Sequence, residues 1–266
     1  MRIWPAILCV ALTACQQAKA PLATPETSFD GARAAPAEAN IAHGERISWT
    51  LGCRGCHTPS LEGQRFYELY ASNLTRDLAK YSDADIEHVL RTGVPHDGRD
   101  LWGMPSEIFQ HLSNADMRAL IANLRTLKPT GMPTQPPKPW EADVKEMIAK
   151  GQLKTAKDTV MQVKAIGPID LGPPYALGRY ITRVTCAECH GPELKGTPGD
   201  TPDLIVAGGY SRAEFEALMT KGILPNNRKF KSPLMGEVAR NRFSRLTLHE
   251  RDALFAYLKA RAEAPQ

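Results

Sequence analysis

Two copies of one short pattern constrain this chain more than any other feature of its sequence. The copies read Cys53-Arg54-Gly55-Cys56-His57 and Cys186-Ala187-Glu188-Cys189-His190. Two thiols three positions apart, with a histidine directly after the second, can both bond to a haem while the imidazole takes the iron from one face. A CxxC pair also occurs in zinc knuckles and thiol-disulfide sites, but the sequence shows neither the extra ligands nor the βαβ pattern that those sites need. The pattern therefore predicts two covalently bound haem c groups.

The length and charge of the chain agree with two small domains. A chain of 266 residues can form one large or two ordinary domains, and two separate motifs favour two. Each haem must then supply much of the core of its domain. The formal charge of +4 falls by one if Arg2 leaves with a signal peptide, and four haem propionates would bring the holoprotein close to neutral. The sequence has no basic run or stacking-aromatic motif that would indicate a nucleic-acid partner.

Residues 1–15 predict a lipoprotein signal peptide. Met1-Arg2 is a short positive region, residues 3–11 are mostly apolar, and Leu12-Thr13-Ala14-Cys15 resembles a bacterial lipobox. The apolar run is too short to be a transmembrane helix. Cys15 is the predicted lipidation site, and an ordinary cleaved signal peptide with a chance cysteine is the alternative. Because Gln16 is not the Asp that usually retains such lipoproteins at the inner membrane, the resemblance favours the outer membrane.

These assignments account for all six cysteines. Cys9 leaves with the signal peptide, Cys15 carries lipid and the other four carry haem, so no thiol remains for a disulfide, a nucleophile or a cysteine iron ligand. Residues 16–40 are rich in Ala, Pro, Thr and Glu. This composition predicts a flexible tether with a reach of about 25–30 Å.

The first predicted domain covers residues 41–130. A helix leads into its motif, with Ile47 and Leu51 on the apolar face, while His43 and Arg46 are predicted to face solvent. Further along, a loop carries Met104 in the segment WGMP. A thioether that reaches the iron from a loop opposite the histidine is the usual sixth ligand of an electron-transfer haem. Met104 is therefore the predicted ligand.

Other side chains compete with Met104 for this role. His96, in the same loop, is the main rival, and His111 and Met132 also lie nearby in the sequence. Met117 has a simpler explanation as a core residue, because it falls on the apolar stripe of the next helix.

Residues 131–172 are predicted to connect the two domains. The prolines between residues 132 and 139 predict an extended strap. Trp140 to Lys164 then predicts a helix, broken near Gly151, that packs between the haem domains with Met147 and Met161 in the core.

The second predicted domain, residues 173–266, repeats the first in the same order. Met235, in the segment PLMG, follows Cys186 at a distance similar to that from Cys53 to Met104. Because Met219 is explained by a helix stripe, Met235 is the predicted ligand. Both domains contain predicted capped helices, at Ser82 with Asp85, Ser113 with Asp116, Ser211 with Glu214 and Thr247 with Glu250.

Several segments together resemble class I cytochrome c domains in tandem: CRGCH and CAECH, the downstream GMP and PLMG, and closing helices of the ALxAxL type. The resemblance covers residues 41–266 apart from the connection. It implies a mainly α fold of two tandem cytochrome c domains, each a small helical fold wrapped around one covalent haem. The layout is also similar to the cytochrome c subunits of membrane-bound bacterial alcohol, aldehyde and gluconate dehydrogenases, which usually carry three haem domains instead of two.

The resemblance implies a role for each site residue. Thioether bonds are expected at Cys53, Cys56, Cys186 and Cys189, and axial iron ligands at His57 with Met104 and His190 with Met235. Each imidazole is expected to donate its free N–H to a backbone carbonyl, with Pro59 and Pro192 in the right neighbourhood. The suggested propionate partners are Arg99, Trp102, Arg212 and Arg228.

Two six-coordinate haems predict an electron carrier of the bacterial periplasm, because neither iron has an open position for a substrate. Such a carrier would take electrons from a dehydrogenase or quinol oxidase and pass them to a cytochrome or terminal oxidase of a respiratory chain. The alternatives are a dihaem peroxidase, a thiosulfate dehydrogenase, or a cytochrome subunit of a larger dehydrogenase complex. The lack of a spare cysteine argues against thiosulfate dehydrogenases with a cysteine haem ligand, and the two methionines argue against a peroxidase.

Overall fold

The computed structural model describes residues 26–33, 37–230 and 232–265. The predicted signal peptide, Cys15 and part of the predicted tether lie outside these residues. The described chain is mainly helical, which confirms the predicted fold class. Within the described residues, no helix combines the length and the apolar character needed to cross a bilayer.

The first half and the connection contain these elements: α1 (Ala37–Thr50), α2 (Cys53–Cys56), β1 (Gln64–Phe66), β2 (Leu69–Ala71), α3 (Leu74–Asp77), α4 (Asp83–Thr92), α5 (Ser106–Phe109), α6 (Asn114–Leu124), α7 (Ala142–Ala149) and α8 (Ala156–Val163). Strands β1 and β2 form an antiparallel hairpin. The second half contains α9 (Ala176–Ile181), a π-helical segment (Thr182–Cys186), α10 (Ala187–His190), α11 (Arg212–Lys221), α12 (Leu234–Asn241) and α13 (Leu248–Glu263). Short 3₁₀ helices cover Leu78–Lys80, Pro173–Tyr175, Leu204–Gly209, Pro225–Asn227 and Phe243–Arg245.

The predicted helix caps are present. In α4, α11 and α13 the residue before the helix and the third helical residue bond reciprocally, so two backbone N–H groups are satisfied at each start. Ser113 accepts the backbone N–H of Asp116 at the start of α6. Gly93 and Gly222 end α4 and α11 with φ of 69° and 65°, a conformation that glycine adopts without strain.

The same helix crossing forms the core of both halves. Helix α1 crosses α6, and α9 crosses α13. A Cβ atom on Gly44 would lie 1.9 Å from the carbonyl oxygen of Ala119, and one on Gly178 would lie 2.2 Å from that of Ala253. Only glycine permits this approach, so the duplication predicted from the sequence extends to the closest backbone contacts.

The two halves contact each other through equivalent positions. Arg46 and Tyr180 each lie two residues after the crossing glycine of their own half. Arg46 Nη1 donates to Glu250 Oε2 at 2.7 Å, and the Tyr180 hydroxyl donates to Asp116 Oδ2 at 2.7 Å. The first helix of each half therefore bonds to the capping carboxylate of the other half's last helix.

The prediction that His43 and Arg46 face solvent is wrong. His43 is 5% exposed, and its Nε2 lies 2.8 Å from Asp116 Oδ1. The Arg46 side chain is 21% exposed and is held by the fully buried carboxylate of Glu250. Asp116 belongs to the first half and Glu250 to the second, so groups from both halves lie against a helix face that its own pattern predicts to face solvent.

The predicted tether is also wrong for residues 26–33. Phe29 is 2% exposed, and its ring packs edge-on against Tyr180. Its backbone N–H donates to Asp116 Oδ2, and that of Asp30 donates to Glu250 Oε1. The Phe29 ring thus anchors this segment against residues of both halves. The average composition of the segment does not predict that any of its residues is buried.

From the strap to α8 the connection packs on the first half instead of lying between the halves. The strap follows the loop after the first motif: the Asn73 side-chain amide donates to the carbonyls of Thr130 and Met132. In α7 no residue is buried, and in α8 only Ala156 and Val160 are. Helix α8 contacts α4 and α5 of the first half. The carbonyls of Pro168 and Ile169 then accept hydrogen bonds from Arg179 and Tyr257 of the second half.

Two core predictions in the connection are therefore wrong. Met147 and Met161 are 42% and 69% exposed, because each lies on a helix that has only one covered side or none.

Candidate haem sites

The two CxxCH motifs lie on short helices at the ends of the first helix of each half. In the first half, Gly52 adopts a φ of 86° and turns the chain from α1 into α2. In the second half, the π-helical segment runs continuously into α10. The four cysteines are not paired in disulfides: Cys53 and Cys186 pack against the core, while Cys56 and Cys189 are exposed. All four sulfurs are thus free to form thioether bonds.

Both motif histidines are oriented in the same way. His57 Nδ1 lies 2.8 Å from the carbonyl oxygen of Ser72, and His190 Nδ1 lies 2.8 Å from that of Pro202. Burial lowers the pKa of both imidazoles, and the carbonyl contact opposes that shift. A neutral ring that donates from Nδ1 keeps the lone pair of Nε2 for a metal. The expected carbonyl contacts exist, but the acceptors differ from the prediction of Pro59 and Pro192.

The loop after each histidine explains this difference. Leu61 and Leu194 are fully buried, with φ of 63° and 64°. In each loop a glycine N–H returns to the histidine carbonyl, from Gly63 to His57 and from Gly196 to His190. The chain therefore turns back at Gly63 and at Gly196 before it reaches Ser72 and Pro202, whose carbonyls contact the histidines. Strained backbone of this kind is typical of functional sites, and the repeated segments PSLEG and PELKG could have revealed it from the sequence.

The second site opens into a cavity of about 390 Å³. It lies within the size range of ordinary cofactor sites. Cys186, Cys189, His190 and Met235 all line it, together with apolar side chains that include Phe215 and Leu218. Met235 lies in the first turn of α12 and not in a loop. The structure thus brings the predicted second ligand set around one apolar space.

In the first site, Met104 is half-buried and packs against the core. Its rival His96 is 67% exposed in its side chain and lies 3.4 Å from Asp85, on the surface. Met132 is 69% exposed, and Met117 is a fully buried core residue as predicted. Met104 therefore remains the predicted ligand.

Of the suggested propionate partners, only Arg228 lines the described cavity. The others contact protein groups: Arg99 pairs with Asp97, Arg212 pairs with Glu216 and Asp252, and Trp102 packs against Trp140. Ion pairs with nearby carboxylates cannot be read from residue type alone.

A residue that the sequence analysis missed also belongs to the site. Arg242 lines the same cavity, and its Nη2 atom is buried without a hydrogen-bond partner in the protein. An orphaned donor and an apolar space beside two free thiols and an oriented imidazole fit a covalently attached haem. The fold and the two sites thus define a protein built to carry one such group in each half.

Comparison with known proteins identifies the family. The sequence profile of the cytochrome c family matches residues 41–128 and again residues 175–262. The chain therefore belongs to the cytochrome c family and consists of two tandem cytochrome c domains. Two such domains imply two covalent haem c groups, as the sequence predicts.

Two curated relatives are informative. A diheme cytochrome c-type protein of Cereibacter sphaeroides is 26% identical in an alignment 256 residues long that covers 82% of this chain and 84% of that protein. A subunit of the nicotinate dehydrogenase of Pseudomonas putida is 30% identical in an alignment 105 residues long that covers 34% of this chain but only 9% of that protein. The chain is thus a dihaem c-type cytochrome, a class whose chemistry implies electron transfer.

Proposed function

We propose that this chain is a dihaem electron relay of the bacterial periplasm. Cys53 and Cys56 would attach the first haem, with His57 and Met104 as axial ligands. In the second domain the corresponding residues are Cys186, Cys189, His190 and Met235. The observation that carries this proposal is the duplicated histidine geometry, in which both Nδ1 atoms are held by a carbonyl and both Nε2 atoms are left for iron.

Bound in this way, each haem supplies a one-electron couple whose potential a thioether ligand raises relative to two imidazoles. The protein supplies orientation and a dry environment. The carbonyls of Ser72 and Pro202 fix the two imidazole rings. The apolar walls of the second cavity exclude water, which favours the less charged state of an enclosed group.

Two methionine ligands support a relay over an enzyme. With both irons closed, a substrate would have to displace a thioether before any bond chemistry could begin. A dihaem peroxidase needs a haem that opens, and the rapid turnover of hydrogen peroxide by the half-reduced protein would identify one. The second alternative, a thiosulfate dehydrogenase with a cysteine haem ligand, finds no cysteine beyond those already assigned.

The partners and the compartment follow from the same proposal. Cys15 would carry the lipid that holds the protein at a membrane, with the outer membrane favoured by Gln16. The donor would be a periplasmic or membrane dehydrogenase, and the acceptor a cytochrome or terminal oxidase. The local similarity to a nicotinate dehydrogenase subunit supports a second candidate role, as the cytochrome subunit of a dehydrogenase complex.

Single substitutions of the two methionines test the ligand assignment. Met104→Ala and Met235→Ala should each abolish the thioether-to-iron absorption of one haem and leave that of the other. Met132→Ala removes an exposed methionine and serves as the matched control. Unchanged absorption in either ligand variant would transfer the role to another residue, with His96 the first to examine in the first domain.

A further inference from the structure

Arg242 joins the two haem-attachment motifs. It lies at the C-terminal end of α12, in the second domain. Its Nε atom donates to the carbonyl of Thr50 at 3.0 Å, at the end of α1 in the first domain. Its Nη1 atom donates to Glu188 Oε2 at 2.7 Å, inside the second motif. One side chain is thus bonded to a residue shortly before the first motif and to a residue inside the second.

The first motif is shaped to accept this guanidinium. Gly52 directly precedes Cys53, and a Cβ atom on Gly52 would lie 2.8 Å from Arg242 Cζ. The φ of Gly52 is 86°, which also disfavours any other residue. The absence of a side chain at Gly52 lets the charge approach the backbone that carries the first haem.

The charge of Arg242 is enclosed. Its side chain is 12% exposed, and Nη2 makes no hydrogen bond within the protein. A guanidinium stays ionised in proteins, so the positive charge is permanent. Interactions of an enclosed charge are screened much less by water and salt than those on the surface.

The same charge lies close to both motifs. A Cβ atom on Gly52, directly before Cys53, would lie 2.9 Å from Arg242 Nη1. Arg242 also lines the cavity that Cys186 and Cys189 line. The ion pair of Arg242 with Glu188 is therefore close to both motifs.

We propose that Arg242 is a shared positioning residue that sets the reduction potential of both haems through one enclosed positive charge between their attachment motifs. This inference rests on the proposed function, since it requires a haem at each motif. Reduction adds an electron, so a nearby positive charge favours the reduced state and a nearby carboxylate opposes it. Arg242 and Glu188 therefore shift the potentials in opposite directions.

A potentiometric titration of the purified holoprotein tests this inference. Arg242→Gln should lower both midpoint potentials. We expect the reduction equilibrium constant of each haem to fall about tenfold, which corresponds to about 59 mV for a one-electron couple. Glu188→Gln should raise both. Arg240→Gln removes an equal charge from an exposed position on α12 and should leave both nearly unchanged.

Arg242→Lys separates charge from structure. Lysine keeps the positive charge but cannot bond Thr50 and Glu188 at the same time as the guanidinium does. The midpoint potentials of Arg242→Lys should therefore lie much closer to those of the wild type than the potentials of Arg242→Gln do. Arg242→Lys and Glu188→Gln also carry the test if Arg242→Gln does not fold. Potentials that stay in place, or a shift confined to the second haem, would overturn the inference.

The haem content separates this inference from the proposed function. A pyridine haemochrome assay on the wild-type protein comes first. Fewer than two haems per chain would contradict the proposed function itself. If two haems are bound but Arg242→Gln and Glu188→Gln leave both midpoint potentials unchanged, only the shared role of the ion pair is contradicted.

Discussion

Asp116→Ala should be among the most damaging single substitutions away from the haem ligands. The Asp116 carboxylate is fully buried, and its Oδ2 atom accepts from the backbone of Phe29 at 3.0 Å and from the Tyr180 hydroxyl at 2.7 Å. Oδ1 lies 2.8 Å from His43 Nε2. Alanine would leave these groups, from three separate segments, without their buried partner.

The expected cost follows from those contacts. An unsatisfied buried donor costs about 1–3 kcal/mol. Asp116 satisfies donors from more than one segment, but these contacts share one carboxylate and do not add fully, so the free energy of unfolding should fall by about 3–5 kcal/mol. A loss of that size is a large share of the stability of an ordinary domain, about 5–15 kcal/mol.

Guanidinium chloride unfolding, followed by far-UV circular dichroism and by haem absorption, measures this loss. Asp85→Ala is the matched control, because Asp85 occupies the same capping position at the start of α4 but its side chain is 34% exposed. The control should change the midpoint far less. Separate transitions for the two probes in Asp116→Ala would show that the domains have come apart. Equal effects of the two substitutions would refute the buried interface.

Two further predictions concern the N-terminal region. Hydrogen bonding to Asp30 raises the pKa of His249 above its ordinary value of 6.5. The stabilisation from this exposed pair is therefore complete below pH 6.5 and lost as the pH rises through the raised pKa. An NMR titration should show that pKa return towards 6.5 in Asp30→Asn, and an unchanged value would mean that residues 26–33 do not dock. Separately, Cys15→Ser should release the protein from the membrane fraction of its host, and continued membrane association would contradict the lipid anchor.

Local signals in the sequence predict local structure well. Ser82 with Asp85 and Thr247 with Glu250 form the expected capping boxes, because the partners lie within one helical turn. Met117 is buried as its helical stripe predicts. Each motif histidine contacts a backbone carbonyl as expected, but the acceptors Ser72 and Pro202 lie 15 and 12 residues further along the chain and were not predicted.

The errors arise where two distant segments meet. The pattern of its own helix predicts that His43 faces solvent, because nothing in that helix reveals that the distant Asp116 carboxylate lies against the imidazole. The average composition around Phe29 predicts a polar tether, although one buried ring is enough to dock a short segment. Arg242 lies far from both motifs in sequence and can be recognised only once the fold places it beside Gly52.

If each domain holds one covalent haem whose iron is closed by methionine, the chain carries electrons without transforming a substrate. A spectroelectrochemical titration of the purified protein distinguishes this arrangement from one with an open iron. We expect reversible uptake of one electron by each of two haems, with thioether-to-iron absorption from both in the oxidised state. A chain that takes up a single electron, or that has a stable five-coordinate haem when oxidised, would contradict it.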